Sequence, residues 1–153
     1  MSQEPAKRLL AVASCGGHWI QLMRLRAAFE GVRVTYVSTR ATDRRDVGGC
    51  AYHAVVDANR NTKIRLVVQL LQVAWIVLRA RPDAVISTGA TVGYFACRLG
   101  KLVGARVIWV DSIANAEQLS LSGRKAGAFA DTWLTQWEHL ASEPGPTYDG
   151  AVL

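Results

Sequence analysis

The chain has no Cys-x-x-Cys pair, and its three cysteines, Cys15, Cys50 and Cys97, are widely spaced and odd in number. That argues against a disulfide framework or a structural zinc site and fits a reducing compartment. No metal and no cofactor is expected. No apolar run reaches the ~20 residues that a membrane-spanning helix needs. The longest, residues 64–78, is interrupted by Arg65, Gln69 and Gln72. Residues 1–8 lead directly into a short apolar run that cannot serve as the core of a cleaved signal peptide. Export and a transmembrane anchor are both disfavoured, which leaves a cytoplasmic protein whose membrane attachment, if any, is peripheral. Long polar and low-complexity tracts are also missing, so disorder is not expected. The dinucleotide fingerprint G-x-G-x-x-G is absent as well.

What the chain does have is enough length for one domain with a core: 153 residues, half of them hydrophobic. Its net charge of +6 points to an anionic partner: nucleic acid, an acidic membrane surface or a phosphorylated ligand. Strand and helix patterns alternate along its whole length. Residues 9–13 read as a buried strand, followed by a glycine turn and an amphipathic helix through Phe29. Residues 32–38 alternate as a second strand, and 52–56 form a weaker third, after a polar segment over 39–49 that reads as a loop or a short exposed helix. Asn61 or Thr62 can cap a helix over Lys63–Ala80, which Pro82 stops, with Arg79 and Arg81 at its negative end. That helix is apolar on nearly every side. It is either buried between the sheet and a neighbour or lies in a membrane interface with Trp75 at headgroup level. A fourth strand over 83–87 is followed by a second glycine turn, 88–93, and a helix ending at Gly104. Residues 105–110 make a fifth strand, 121–130 a helix and 132–135 a sixth strand. The remaining tail is rich in Pro and Gly.

This alternation predicts an α/β fold, a Rossmann-like doubly wound parallel sheet of strand order 3-2-1-4-5-6 in a single domain. Ligands of such sheets bind where the winding reverses, between the C-terminal ends of strands one and four. Those ends carry Ser14-Cys15-Gly16-Gly17-His18 and Ser87-Thr88-Gly89-Ala90-Thr91. Glycines at a βα turn leave backbone N–H groups open to phosphate or carboxylate at the helix N-terminus. His18 adds a group that titrates near neutrality. Cys15 is a candidate thiol at the same turn, though a small packing residue accounts for it as well.

The motifs occur in a familiar order: Ser-x-Gly-Gly-His, then Ile86-Ser87-Thr88-Gly89-Ala90, then Trp109-Val110-Asp111-Ser112-Ile113-Ala114. Leu119-Ser120-Leu121-Ser122-Gly123-Arg124, Phe129-Ala130-Asp131 and Gln136-Trp137 follow. From residue 14 to residue 148 the set resembles the acceptor-side subunit of split GT-B glycosyltransferases. These include the membrane-associated partner of the N-acetylglucosaminyltransferase that extends the dolichol-linked glycan, and bacterial exopolysaccharide counterparts. The resemblance implies the N-terminal half of a GT-B enzyme, with the nucleotide-sugar site mainly on a separate, complementary donor-binding subunit. It further implies inverting transfer from a UDP-sugar to a polyprenyl-diphosphate-linked acceptor at an anionic membrane surface.

On that reading His18 is the candidate general base, and Asp111 is an alternative base or a group that orients His18. Ser14, Gly16, Gly17, Ser87, Thr88, Gly89, Ser112 and Asn115 are the candidate substrate-binding residues. His53 and His139 are expected to be structural. Two features depart from the family's pattern. Members carry Glu-Ser-x-Ala-Arg where this chain has Asp111-Ser112-Ile113-Ala114-Asn115, and eukaryotic members have an N-terminal membrane helix. Peripheral attachment would then fall to the helix from Lys63 or to residues 19–25 with Arg24 and Arg26. A stand-alone nucleotide-binding module is the alternative, weakened by the missing third glycine and the lack of a ribose-binding acid after the second strand. Nucleic acid is not an expected partner, because the tryptophans sit in apolar strands and helices rather than among the arginines.

Overall fold

A computed structural model of the chain describes residues 5–152; residues 1–4, read above as a lead into the first strand, lie outside the described residues. Strands β1 (Arg8–Ala13), β2 (Arg33–Ser38), β3 (Ala51–Ala54), β4 (Ala84–Gly89), β5 (Arg106–Val110), β6 (Thr132–Thr135) and β7 (Thr147–Tyr148) form one sheet. Its order is β3-β2-β1-β4-β5-β6-β7, and every pairing is parallel. The helices are α1 (Gly17–Arg24), α2 (Lys63–Ala80), α3 (Ala90–Leu102) and α4 (Leu121–Ala126).

β1 is apolar from Leu9 to Ala13 because it is central and covered on both faces. Leu10 and Val12 face the layer of α2 and α3, against Val73, Val77, Val92 and Ala96. Leu9, Ala11 and Ala13 face the other side, against Trp19, Leu22 and Phe29. Complete burial of Leu10 and Leu22 stabilises the fold by about 1.5–3 kcal/mol each. The winding reverses at β1 and β4, as the alternation predicts, and so places the ends of these two strands side by side.

Several expectations are corrected. A seventh strand, β7, extends the sheet, and its two exposed residues gave no apolar pattern to read. α1 stops at Arg24 and continues as a 3-10 turn over Arg26–Phe29; α4 ends at Ala126 rather than at residue 130. The short helix allowed after β2 is a 3-10 turn, Ala41–Asp46, but it is not wholly exposed: its Asp43 is buried and accepts from Ser38 Oγ at 2.6 Å. Thr62 occupies the N-cap of α2, but its hydroxyl bonds back to Asn59 O rather than into the helix.

The buried reading of α2 fails on one side. Gln69, Val73, Ile76 and Val77 face the core, yet Ile64 is 83% exposed, Leu71 65%, Trp75 55% and Leu78 65%. With Val67 and Val68, also exposed, these residues recur at helical spacing and form a second apolar stripe turned away from the protein. The segment 19–25 carries no such stripe: Trp19, Gln21 and Leu22 are buried. Trp19 meets Tyr36 and Tyr52 edge-on, and its indole N–H donates to Asp46 at 2.8 Å.

Candidate functional site

The first turn is built as the glycines suggest. Gly16 caps α1 at φ +82°, a left-handed conformation that favours glycine, and Gly17 is exposed at the first helical position. Cys15 N–H donates to Thr39 Oγ1 at 3.0 Å, which ties this turn to the end of β2. One residue further on, His18 is half-buried at the rim, and its Nδ1 lies 3.0 Å from Ser14 Oγ. Burial pushes the His18 pKa below its usual value, while the negative charge of Asp111 works in the opposite direction. The imidazole is therefore neutral at physiological pH.

The second turn differs from expectation. β4 runs on to Gly89 and α3 starts at Ala90 without an intervening loop. The pairing of β1 with β4 slips here: Val12 faces Ser87, but Ala13 faces Gly89, so Thr88 is bulged out of register. Thr88 uses that bulge to donate its hydroxyl to His18 O at 2.7 Å. Gly89 adopts φ +141° and ψ −176°, a region essentially reserved for glycine, and Ala90 follows at φ +68°. A side chain on Gly89 would occupy the place of the His18 ring, coming within 2.6 Å of Nε2. The imidazole lies directly on the Gly89 backbone. Ser87 is fully buried and accepts from Gly89 N–H at 3.1 Å. Ser87 and Thr88 therefore shape the wall beneath His18 and turn no free hydroxyl toward a ligand.

Asp111 directly follows β5 and is 1% exposed. Its Oδ1 accepts from the Trp109 indole at 3.1 Å and from Ser120 Oγ at 2.5 Å. Its Oδ2 accepts from Ser120 N–H at 2.9 Å and from Asn115 Nδ2 at 3.4 Å. A side chain on Gly123 would collide with Oδ1, so that glycine keeps the carboxylate's seat open. The partner that orients His18 is Ser14, and Asp111 reaches the imidazole only through its charge. On the sequence Asp111 is an alternative base or a group orienting His18; in the structure both its oxygens accept hydrogen bonds within and around the 111–120 loop, and neither bonds to His18. Asn115 belongs to the same loop and is half-buried.

The sequence also conceals a buried amide network. Gln21, on the inner side of α1, donates to Ser112 Oγ at 3.1 Å and accepts from Ile113 N–H at 3.1 Å. Gln136 Nε2 donates to Gln21 Oε1 at 2.7 Å and to Asp111 O at 2.9 Å, and Val152 N–H donates to Gln136 Oε1 at 2.9 Å. Ser112 is thereby committed to bracing, not to a ligand. The available signal was a polar Gln21 between the buried Trp19 and Leu22, where helical spacing calls for an apolar residue. Trp137 and His139 pin the same loop by bonds to Ile113 O at 2.7 Å and Ala116 O at 2.6 Å, so His139 is structural as expected.

No group of three or more His, Cys, Asp or Glu with metal-holding geometry occurs among the described residues. What the chain presents at the switch point is a neutral, oriented imidazole beside open backbone N–H groups at Gly16 and Gly17. The deeper polar residues hold the surrounding loops in place.

The architecture is that of one Rossmann-like unit of a GT-B-type protein. The solved structures of Acinetobacter baumannii MurG (TM-score 0.77, 11% identity) and of UDP-N-acetylglucosamine 2-epimerase from Rickettsia bellii (TM-score 0.70, 16% identity) share it. Each likeness covers 96% of this chain but only 46% and 45% of the solved chains, about half their length. At the level of sequence, the family described as "Oligosaccharide biosynthesis protein Alg14 like" matches residues 45–152, and the chain belongs to that family. It is 30% identical to the UDP-N-acetylglucosamine transferase subunit ALG14 of Eremothecium gossypii, covering 90% of this chain and 75% of that one. The Yarrowia lipolytica protein of the same name is 31% identical over 51% of this chain and 39% of its own length.

Proposed function

We propose that this chain is the acceptor-side subunit of a two-protein inverting glycosyltransferase, and that a complementary donor-binding subunit closes the site. The observation that carries the reading is the His18 imidazole, neutral, held by Ser14 and seated on Gly89 at the open rim of a single Rossmann-like unit. With Nδ1–H donating to Ser14 Oγ, the lone pair at Nε2 takes the proton of an acceptor hydroxyl as its oxygen attacks the anomeric carbon. The glycosidic bond to the donor's diphosphate breaks in the same step, and the nucleoside diphosphate leaves with the bonding pair. Backbone N–H groups at Gly16 and Gly17, at the positive end of α1, stabilise phosphate charge gathering there.

The names of the relatives make UDP-N-acetylglucosamine the first donor to test, with a polyprenyl-diphosphate-linked saccharide as acceptor. α2 supports a peripheral seat on the inner face of an anionic membrane. Its outer stripe is apolar, Lys63, Arg65, Arg79 and Arg81 flank it, and no acidic residue lies between 63 and 80. Among the described residues no helix is long and apolar enough to cross a membrane.

The test is to purify the chain with its complementary subunit and measure transfer from a panel of UDP-sugars to a polyprenyl-diphosphate acceptor. Transfer that needs both chains, and that falls by about 10²–10⁴-fold in His18→Ala, is the expected result. A stable two-chain complex inactive with every donor, or an unchanged rate in His18→Ala, would overturn the respective part of the reading.

A further inference from the structure

Beside the apolar stripe, α2 and the end of β3 enclose a groove of about 370 Å³. Its walls are His53, Ala54, Val55, Leu71, Trp75 and Ile76. The polar members of this region are neutralised. Gln72 accepts from Val56 N–H at 2.8 Å, and burial lowers the His53 pKa, leaving an uncharged ring edge-on to Trp75 with centroids 6.0 Å apart. Trp75 also lines a shallow depression with Leu78, Arg79 and Arg81, where the Arg79 guanidinium sits 5.7 Å from the Trp75 ring centroid. A hydrocarbon slot and a pair of cations thus share one wall.

Resting on the membrane seat proposed above, we infer that this is a binding site for a single anionic phospholipid. One acyl chain fills the groove against Leu71 and Trp75, and the headgroup phosphate lies on Arg79 and Arg81. The charge is complementary: the helix carries no acid, and neither arginine has a carboxylate partner among the described residues. The polarity of the fold separates the headgroup end of this site from the acceptor. α2 leads from β3 back to the start of β4, so it runs antiparallel to the strands. Its Arg79 end lies at the edge of the sheet opposite the strand ends that carry His18 and Gly89. The 18 residues of α2 span ~27 Å at 1.5 Å per residue. The headgroup cations therefore sit at the opposite edge of the sheet from the turn that would hold an acceptor's diphosphate, where a bilayer lipid rather than the acceptor is the natural ligand. The site would lock the helix into one depth and rotation on the membrane and hold the catalytic rim at a set height.

The experiment uses the full chain and phosphatidylglycerol as probe. Native mass spectrometry from detergent should show a 1:1 adduct. Ala54→Trp, which fills the groove, and the pair Arg79→Glu and Arg81→Glu should each lower its yield at least tenfold, with melting temperature checked in each. Ala54→Trp should still float with vesicles of phosphatidylcholine and phosphatidylglycerol. Conversely, Ile64→Asp with Val67→Asp should lose flotation and keep the adduct. Flotation without any wild-type adduct, or an adduct indifferent to both sets of changes, overturns the lipid site and leaves the membrane seat standing. Loss of both flotation and adduct in the wild type overturns both. Displacement of the phospholipid by an equal concentration of a prenyl diphosphate would assign the groove to the acceptor and refute the inference.

Discussion

Asp111→Asn separates the two roles that a carboxylate at the end of β5 can play. In the native fold its two oxygens receive four hydrogen bonds, from the Trp109 indole, Ser120 Oγ, Ser120 N–H and Asn115 Nδ2. Whichever way an amide is turned, its NH₂ faces two of these donors and accepts from neither. Hydrogen bonds to a charged group contribute about 1.5–3 kcal/mol each, and relaxation of the loop recovers part of the loss. A destabilisation of about 3 kcal/mol follows, which for a domain of this size lowers the melting temperature by about 6–12 °C. Thermal unfolding measures this directly. In the reconstituted complex, residual transfer should keep an acid limb in the pH–rate profile, moved to lower pH because the Asp111 charge no longer raises the His18 pKa. The reverse pattern would refute the assignment: a melting temperature within about 1 °C of wild type, with turnover reduced more than 100-fold.

Gly89→Ala should place a methyl group against the His18 ring and force a backbone conformation costing about 1–3 kcal/mol. We expect turnover about 10²-fold lower at nearly unchanged KM, since small displacements of a reacting group have effects of that size; turnover within twofold of wild type would contradict the packing. Ser14→Ala removes the Nδ1 partner and should cut kcat about tenfold while leaving the melting temperature in place. Burial lowers the pKa of both His18 and His53, so the unfolded chain takes up protons at a higher pH than the folded one. Stability should therefore be full above the unfolded imidazole value of about 6.5 and fall as the pH drops below it. Denaturant midpoints at pH 7.5 and 5.5 measure the loss, and His18→Gln should shrink it. Gln21→Leu strands Ile113 N–H and takes one of the two acceptors of Gln136 Nε2, and about 2–4 kcal/mol of stability should go with them.

The frame of the molecule was legible because it follows from burial. β1 is covered on both faces and reads as unbroken apolar residues, and α2 is long and ended by Pro82, so the strand order follows from alternation. The two-residue β7 has no such signature. Its pairing with β6 rests on backbone hydrogen bonds, to which side-chain patterns are blind. At the switch point, residue type marked the strand ends but did not distinguish presenting from bracing. Ser14, Ser87, Thr88, Ser112 and Asp111 all looked available to a ligand. A one-residue slip between β1 and β4 turned Thr88 toward the His18 carbonyl, and four donors converged on Asp111. Both are tertiary facts that no local spacing encodes.

The same distinction explains α2, where an all-round apolar helix invites a buried assignment. Its two faces obey different constraints. Val73, Ile76 and Val77 are fixed by packing against the sheet layer, while Ile64, Leu71 and Leu78 cover nothing in this chain. An apolar stripe with cations at both ends and no acid along it suits an anionic interface better than open water. The chain therefore presents two surfaces of different chemistry, one polar at the strand ends, the other apolar and basic along α2. A single soluble partner is poorly suited to cover both, and the proposed function assigns them separately, the first to a donor-binding subunit and the second to a bilayer.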